Sequence, residues 1–226
     1  MKLNKLILVA GGSGTRMGSA TPKQFLDLCG EPILVRTLRN CANNWDWDEI
    51  VLVLPKEMEA AWRDLSTKFQ LPHHRITNGG AERFESVKRG LNELSGEEGA
   101  VAIHDGVRPF VSRALFRRLE AELAAGVGVI PCVELVDSIR RLGSGGSEAV
   151  VRSEFRAVQT PQVFPVSELK KAYEVDFHPS FTDDASLFEN AGGTITCVDG
   201  DPKNIKITLP KDLVLGAHFI KEDYLD

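Results

Sequence analysis

The sequence is poor in cysteine. Its four are Cys29, Cys41, Cys132 and Cys197, and no two have the Cys-x-x-Cys spacing of a zinc site or a redox pair. Scattered thiols suit a reducing compartment, so no disulfide framework is expected. Long apolar runs are missing as well. No stretch approaches the roughly 18 residues of a membrane span, and Leu6–Ala10 is too short for a signal-peptide core. The chain reads as soluble and cytoplasmic. Nor is there a basic excess. With 27 Lys and Arg against 32 Asp and Glu, the formal charge is −5, which argues against non-specific nucleic-acid binding.

Two familiar phosphate loops are also absent. "VAGGSGTRMGSATPKQ", Val9 to Gln24, is rich in glycine and follows an apolar run, yet no glycine is placed to make G-x-x-x-x-G-K-[ST]. The dinucleotide fingerprint G-x-G-x-x-G fails by one residue. From Gly12 the third glycine would fall at Met17, and Gly18 arrives late. A nicotinamide-linked oxidoreductase is excluded on that count.

What is present is an alternation. Within 226 residues that are 42% hydrophobic, short β-rich runs alternate with helical patterns, and the whole reads as one domain, 1–226. Strands are predicted at Leu6–Ala10, Ile50–Leu54, Ala100–His104, Val127–Val133, Thr194–Val198 and Asn204–Thr208. Helices are predicted over Ile33–Ala42 and Glu82–Leu94, after a Ser112 cap, near Ser167–Val175 and Asp183–Asn190, and from Pro210. In the last, Leu213, Ala217, Ile220 and Tyr224 share a face. This order predicts an α/β fold, a mostly parallel sheet with helices on both faces, which binds ligands at the carboxyl ends of its strands. Between about 137 and 164 the pattern breaks into two β-like runs around Gly143–Ser147. A protruding hairpin arm is the economical reading, and an isolated hairpin needs something to pack on.

Several stretches carry candidate chemistry. In the opening loop Gly11, Gly12 and Gly14 let backbone N–H groups approach an anion, and Arg16 and Lys23 add cations suited to a polyphosphate. "AIHDGVRPF" places His104, Asp105 and Arg108 where a buried strand ends. Asp105 there reads as a turn residue or as a Mg²⁺ ligand beside phosphates, and His104 as structural. "GGAERFESV" brings Gly79, Gly80 and Ser86 to a helix start. "FTDDAS" reads as a helix cap with Thr182 at the N-cap. In "NIKIT", strand geometry puts Lys206 on one face with Asn204 and Thr208, opposite Ile205 and Ile207. Arg152 stands on the arm.

Taken in order, "AGGSGTRMG", "TPKQF", "GGAERFESV", "HDGVRPF", "VDSIRR", "QTPQVF", "TDDAS" and "NIKIT" resemble the 2-C-methyl-D-erythritol 4-phosphate cytidylyltransferases across the whole chain. The first motif is shared with many sugar-phosphate nucleotidyltransferases; "PKQF", "HDGVRPF" and "QTPQ" are more selective. The resemblance implies a Rossmann-like fold, a homodimer built through the β-arm, and Mg²⁺ or another divalent cation. It also implies CTP and methylerythritol phosphate as substrates, in the non-mevalonate isoprenoid pathway. By similarity, Arg16 and Lys23 stabilise the transition state, and Arg152 and Lys206 position the acceptor phosphate. Ala10, Gly11, Gly12 and Gly14 line the nucleotide, while Gly80, Ala81 and Ser86 match the cytosine pocket. Asp105 matches the carboxylate near metal and diol, supported by Arg108, and Ser138, Thr160 and Thr182 match substrate contacts. The family more often carries Asp at the position of Ala81 and Thr at that of Ser138. Cytidylyltransferases of other alditol phosphates, such as ribitol 5-phosphate, share most motifs. There a Ser in place of Gly106 and "NLKIT" in place of "NIKIT" are expected, so this chain favours methylerythritol phosphate.

Overall fold

The structure is a computed structural model and describes residues 1–11 and 21–222. Gly12, Gly14, Arg16 and Tyr224 lie outside the described residues. The chain runs β1 (Leu3–Val9), β2 (Asp27–Leu28), β3 (Glu31–Pro32), α1 (Ile33–Asn44), β4 (Glu49–Leu54), α2 (Glu59–Lys68), β5 (Arg75–Asn78) and α3 (Arg83–Asn92). It continues through β6 (Ala100–Asp105), α4 (Arg113–Ala121), β7 (Val127–Glu134), β8 (Arg140–Gly143), β9 (Gly146–Ala149) and β10 (Arg156–Val158). The last elements are β11 (Gln162–Pro165), α5 (Val166–Ala172), α6 (Asp184–Asn190), β12 (Thr194–Asp199) and α7 (Pro210–Glu222).

Among the described residues the central sheet has eight strands, with β5, β4, β1 and β6 side by side and parallel. β11 then inserts antiparallel between β6 and β7. Cys132 of β7 pairs with Asp199 of β12 and with Val158 of β10, so these two strands lie on opposite edges of β7. β10 and β11 therefore form one antiparallel ladder along β7. From Val158 to Val163 the ladder takes five steps, while its partner takes three from Cys132 to Val129. Gln159 N–H still meets Pro131 O at 2.8 Å, so the excess is a bulge between Gln159 and Val163, a device that re-aims side chains beside functional sites.

Strand alternation feeds two apolar layers. Leu6 and Leu8 of β1 pack with Leu34, Leu38, Trp62 and Phe116 from α1, α2 and α4. Ile7, between them, faces the opposite layer with Val87, Leu91, Leu169 and Phe188 from α3, α5 and α6. A third cluster joins Ile33, Val107, Ile207 and Ile220, seating α7 against the segment after β6.

The expected α/β architecture holds, and the Ser112 cap forms: its hydroxyl accepts the Leu115 N–H. Three expectations need correction. Asn204–Thr208 is no strand and joins no sheet. Its backbone is held instead by Ile207 N–H on Val107 O at 2.9 Å, and the predicted face alternation fails, with Asn204 buried and Lys206 exposed. The hairpin is confined to β8 and β9; the rest of the 137–164 segment returns through β10 and β11 into the sheet, and in β11, where all four residues are buried, no strand period shows. Finally, the N-cap of α6 is Asp183, not Thr182. Asp183 accepts the Ser186 N–H while Ser186 Oγ accepts the Asp183 N–H, a reciprocal box that leaves Thr182 exposed.

Candidate active site

The sheet's order reverses beside β1: the chain moves from β1 to β4 and β5 on one side, then returns to β6 on the other. Crevices at such switch points are where open α/β sheets bind ligands. A cleft of about 380 Å³ opens there, lined by Val9, Ala10, Gly11, Lys23, Gln24, Ala81, Glu82, Arg83, Ser86, Asp105, Val107 and Lys206. A larger groove, about 630 Å³, runs along α1 and α7 and holds none of the expected site residues. Several of its polar groups are already committed: Arg36 to Leu28 O, Arg39 to Glu31 and Phe69 O, Asn40 to Pro109 O and Val111 O.

One wall of the cleft is backbone. Ala10 leaves β1 bonded to Val53 O, and its own carbonyl accepts Nε2 of the buried Gln24 at 2.8 Å. Gly79 to Ala81 follow β5. Ser86 Oγ accepts the Gly80 N–H at 3.1 Å and donates to Glu82 O at 3.1 Å, so its hydroxyl shapes this turn. Glu85 accepts the Ala81 N–H at 2.6 Å. A Cβ on Gly80 would come within 2.2 Å of Glu85 Cβ, which is why glycine is needed there.

The opposite wall is charged. Parallel register sets Asp105 beside Val9, at the carboxyl ends of β6 and β1. Gly106 lets the chain turn tightly here; a Cβ would meet Leu34 at 2.8 Å and Ala10 at 3.0 Å. Asp105 Oδ2 accepts Lys206 Nζ at 3.0 Å and Arg108 Nε at 3.2 Å, and its Oδ1 stands 3.9 Å from Arg83 Nε. Burial alone would raise the Asp105 pKa, but the Arg83, Lys206 and Arg108 cations reverse that and hold it well below the usual carboxylate range. Asp105 is thus a permanent anion that gathers three cations.

Beneath this wall lies a buried polar frame. His104 Nε2 faces Arg108 O at 3.1 Å, an acceptor, so Nε2 carries the hydrogen. His104 Nδ1 then accepts from Thr160 Oγ1 at 3.0 Å, while the same oxygen accepts the Asp105 N–H at 3.0 Å. Burial lowers the His104 pKa to about 4, which keeps the ring neutral. Arg108 Nη1 donates to Asn204 O at 2.9 Å and thereby ties the β6 turn to the segment carrying Lys206.

The expected residues thus divide. Ala10, Gly11, Lys23, Ala81, Ser86, Asp105 and Lys206 meet in one cleft, with Gly80 in the turn beside it. Arg108 and Thr160 are buried next to Asp105, their polar atoms engaged within the protein. Ser138 and Arg152 stand exposed at the arm, where Arg152 donates to Val136 O. Sequence reasoning missed Arg83 and Gln24. Gln24 sits inside a motif whose lysine alone was read, and Arg83, flanked by glutamates, looked like a helix-start residue.

A carboxylate, a lysine and glycine-rich backbone facing each other across a switch-point cleft can hold a phosphorylated ligand on both sides. The model of the 2-C-methyl-D-erythritol 4-phosphate cytidylyltransferase family matches residues 5–222. The chain belongs to that family. It is 47% identical to the enzyme of that name from Bacteroides fragilis, over 93% of this chain and 96% of the other. It is 45% identical to that of Bacteroides thetaiotaomicron, over 94% and 97%. The crystal structure of 4-diphosphocytidyl-2C-methyl-D-erythritol synthase from Anaerococcus prevotii superposes with a TM-score of 0.82 at 28% identity, covering 97% of this chain and 99% of that one. The cytidylyltransferase fold therefore frames every distance given above.

Proposed function

We propose that the chain transfers the cytidylyl group of CTP to 2-C-methyl-D-erythritol 4-phosphate, giving 4-diphosphocytidyl-2-C-methyl-D-erythritol and pyrophosphate. Family membership supports this reading, and one observation carries it: Lys206 clasps Asp105 at 3.0 Å in the same cleft that Lys23, Ala10 and Gly11 line. An oxygen of the acceptor phosphate attacks the α-phosphorus of CTP; the new P–O bond forms as the bond to the β-phosphate oxygen breaks, and pyrophosphate leaves. That oxygen is already ionised, so no general base is required. Catalysis rests on positioning and on countering charge.

Lys23 faces the triphosphate side, with Arg16 assigned beside it from the motif. Lys206 receives the acceptor phosphate, and Asp105 holds Lys206 in place. Ala10, Gly11, Gly80, Ala81 and Ser86 form the nucleotide wall, together with Gly12 and Gly14 of the loop. Thr182, displaced from the cap and exposed, has a hydroxyl suited to the acceptor. Among the described residues no cluster of three metal-binding side chains occurs. Asp105 nevertheless suits a Mg²⁺ ion held mainly by phosphate oxygens. Its Oδ2 is engaged by Lys206 and Arg108, while Oδ1 stands 3.9 Å from Arg83 Nε. Such an ion would neutralise phosphate charge.

The arm supports a homodimer. Every residue of β8 and β9 is exposed, and Leu142 is 82% exposed. Arg152 and Ser138, at its base, then serve the partner's site. No helix of the described residues is long and apolar enough to cross a membrane, and four free thiols suit the cytoplasm. The test is incubation with CTP, Mg²⁺ and either methylerythritol phosphate or ribitol 5-phosphate, following pyrophosphate release. Turnover of ribitol phosphate alone would overturn the reading.

A further inference from the structure

The Lys23 ammonium can serve a phosphate only if the turn beneath it stays in place. Pro22, just before it, has no N–H to give, so the anchoring falls to the residues that follow. Lys23–Phe25 form one 3₁₀ turn, closed by the Phe25 N–H on Pro22 O at 2.9 Å and the Leu26 N–H on Lys23 O at 3.1 Å. Successive residues then reach three different elements. The Phe25 ring meets Trp62 of α2 edge-on at 6.4 Å, and Leu26 O accepts the Ile33 N–H of α1 at 3.0 Å. Gln24 reaches the sheet: its buried Nε2 donates to Ala10 O at 2.8 Å. A carbonyl can only accept, which fixes the amide with its nitrogen toward Ala10. Its Oε1 is buried with no partner among the described residues.

We propose that Gln24 is a positioning residue for the reaction: it sets Lys23 against the end of β1 and acts on the triphosphate through it. Ala10 is the fixed end of this bond. It is held separately by its own N–H on Val53 O at 2.9 Å, and β1 is locked between β4 and β6. The turn is the end that needs holding. Phe25 and Leu26 secure its far side, while Gln24 and Lys23 both line the cleft. Ala10 and Gln24 also bracket the glycine-rich segment from its two ends. Their bond therefore sets how far the Lys23 backbone stands from Gly11, which lines the same cleft. Spacing of this kind decides rate, since a group displaced by about 1 Å can cost about 10²-fold.

The proposal rests on the cytidylyltransferase reading, and Gln24→Met, which keeps the side chain's length and removes its amide, tests it. kcat should fall at least about tenfold with both KM values within about threefold, as when a group used in the transition state is misplaced. The double variant Lys23→Ala with Gln24→Met should stay within about threefold of Lys23→Ala alone, because a residue acting through Lys23 then has nothing left to place. Gln24→Glu adds a pH signature. Its protonated carboxyl can donate to Ala10 O and its carboxylate cannot, and burial favours the protonated form. Its activity relative to wild type should climb at least about threefold between about pH 8 and about pH 6, with Gln24→Met flat over the same range. Hydrogen exchange supplies a readout independent of turnover. In Gln24→Met the Phe25 and Leu26 amides should exchange faster, with the Ala10 amide still protected. Additive losses in the double variant, a flat profile for Gln24→Glu, or loosening at Ala10 equal to that at Phe25 would overturn the proposal. So would a KM for CTP raised about tenfold with kcat kept, the mark of a direct nucleotide contact. Wild-type protein that releases no pyrophosphate from CTP and methylerythritol phosphate would overturn the functional reading instead, with the exchange pattern still deciding this one.

Discussion

Arg83 and Asp184, 101 residues apart in the chain, meet in a two-point fork, Nη1 to Oδ1 at 2.9 Å and Nη2 to Oδ2 at 2.6 Å. Asp184 is fully buried and also accepts the Tyr173 hydroxyl at 2.5 Å. Burial works against the Arg83 charge, and Asp184 more than reverses it. The fork joins the first residue of α3, at the cleft, to the first residue of α6, beside Thr182. Asp184→Asn leaves the Arg83 charge only the more distant Asp105 and should cost about 3–5 kcal/mol, toward the lower end because the Arg83 side chain is 32% exposed. Tyr173→Phe removes one hydrogen bond and should cost about 1 kcal/mol. Urea unfolding of both variants checks the order.

The charged pair across the cleft should behave differently. Lys206 is 42% exposed, so Lys206→Ala should leave the unfolding midpoint nearly unchanged. It should lower kcat by about 10²–10³-fold, as expected when a preorganised donor to developing charge is lost. Lys23→Ala should do likewise from the triphosphate side. Steady-state kinetics beside thermal unfolding separates the two effects.

Acid should loosen the fold through His104. Its folded pKa is about 4 against an ordinary 6.5, so the unfolded chain takes up the proton first. Stability is therefore intact above pH 6.5 and falls as pH drops toward 4, by about 3 kcal/mol in all. His74, lowered by burial and accepting from Trp62 Nε1, adds to the same window. Asp105, held low by its cations, adds a loss only below its ordinary value of 3.8. Urea midpoints between pH 7 and 4 should show this slope, and His104→Gln should flatten it.

At the backbone wall of the cleft, Gly80→Ala drives a methyl into Glu85, 2.2 Å from its Cβ. CTP affinity should weaken about tenfold or more as the turn shifts, an overpacking cost of about 1–3 kcal/mol. The double variant Gly80→Ala with Glu85→Ala should recover much of it. Calorimetric titration with CTP measures both.

If the arm delivers Arg152 to the neighbouring subunit, two dead enzymes should repair each other. Mixing Arg152→Ala protein with Lys206→Ala protein gives heterodimers with one intact site. At full exchange about a quarter of wild-type sites should return. No recovery on mixing would place Arg152 in its own protomer's site or none.

Much of this was legible in the sequence, and the gaps have physical causes. β1, β4, β6 and β7 announced themselves because parallel strands buried on both faces are unbroken apolar runs. Glycine and charge made the cleft's backbone wall and Asp105 visible. The strand predicted at Asn204–Thr208 failed because Ile207 seats it on Val107 and α7 rather than in a ladder. Thr182 was read as a cap because threonine caps well, but the carboxylate next to it takes the Ser186 N–H and the Ala185 N–H goes to Gln162, so the helix starts one residue later. Arg83 with Asp184, and the glutamines of "QTPQ", were invisible for one reason: their partners lie far along the chain, and nothing in local spacing encodes a long-range hydrogen bond.

The antiparallel strand at the centre has a consequence for how the protein comes into being. Ribosomal synthesis delivers β6 and β7 before β11, yet β11 belongs between them. Until it is threaded in, β7 and β12 have no bridge to β6 on that side, and the backbone of Asp105 lacks Thr160. Closing such a long-range gap is slow relative to local helix formation. Competence for chemistry should therefore arrive last and all at once, so that partly folded chains are catalytically silent rather than poorly selective.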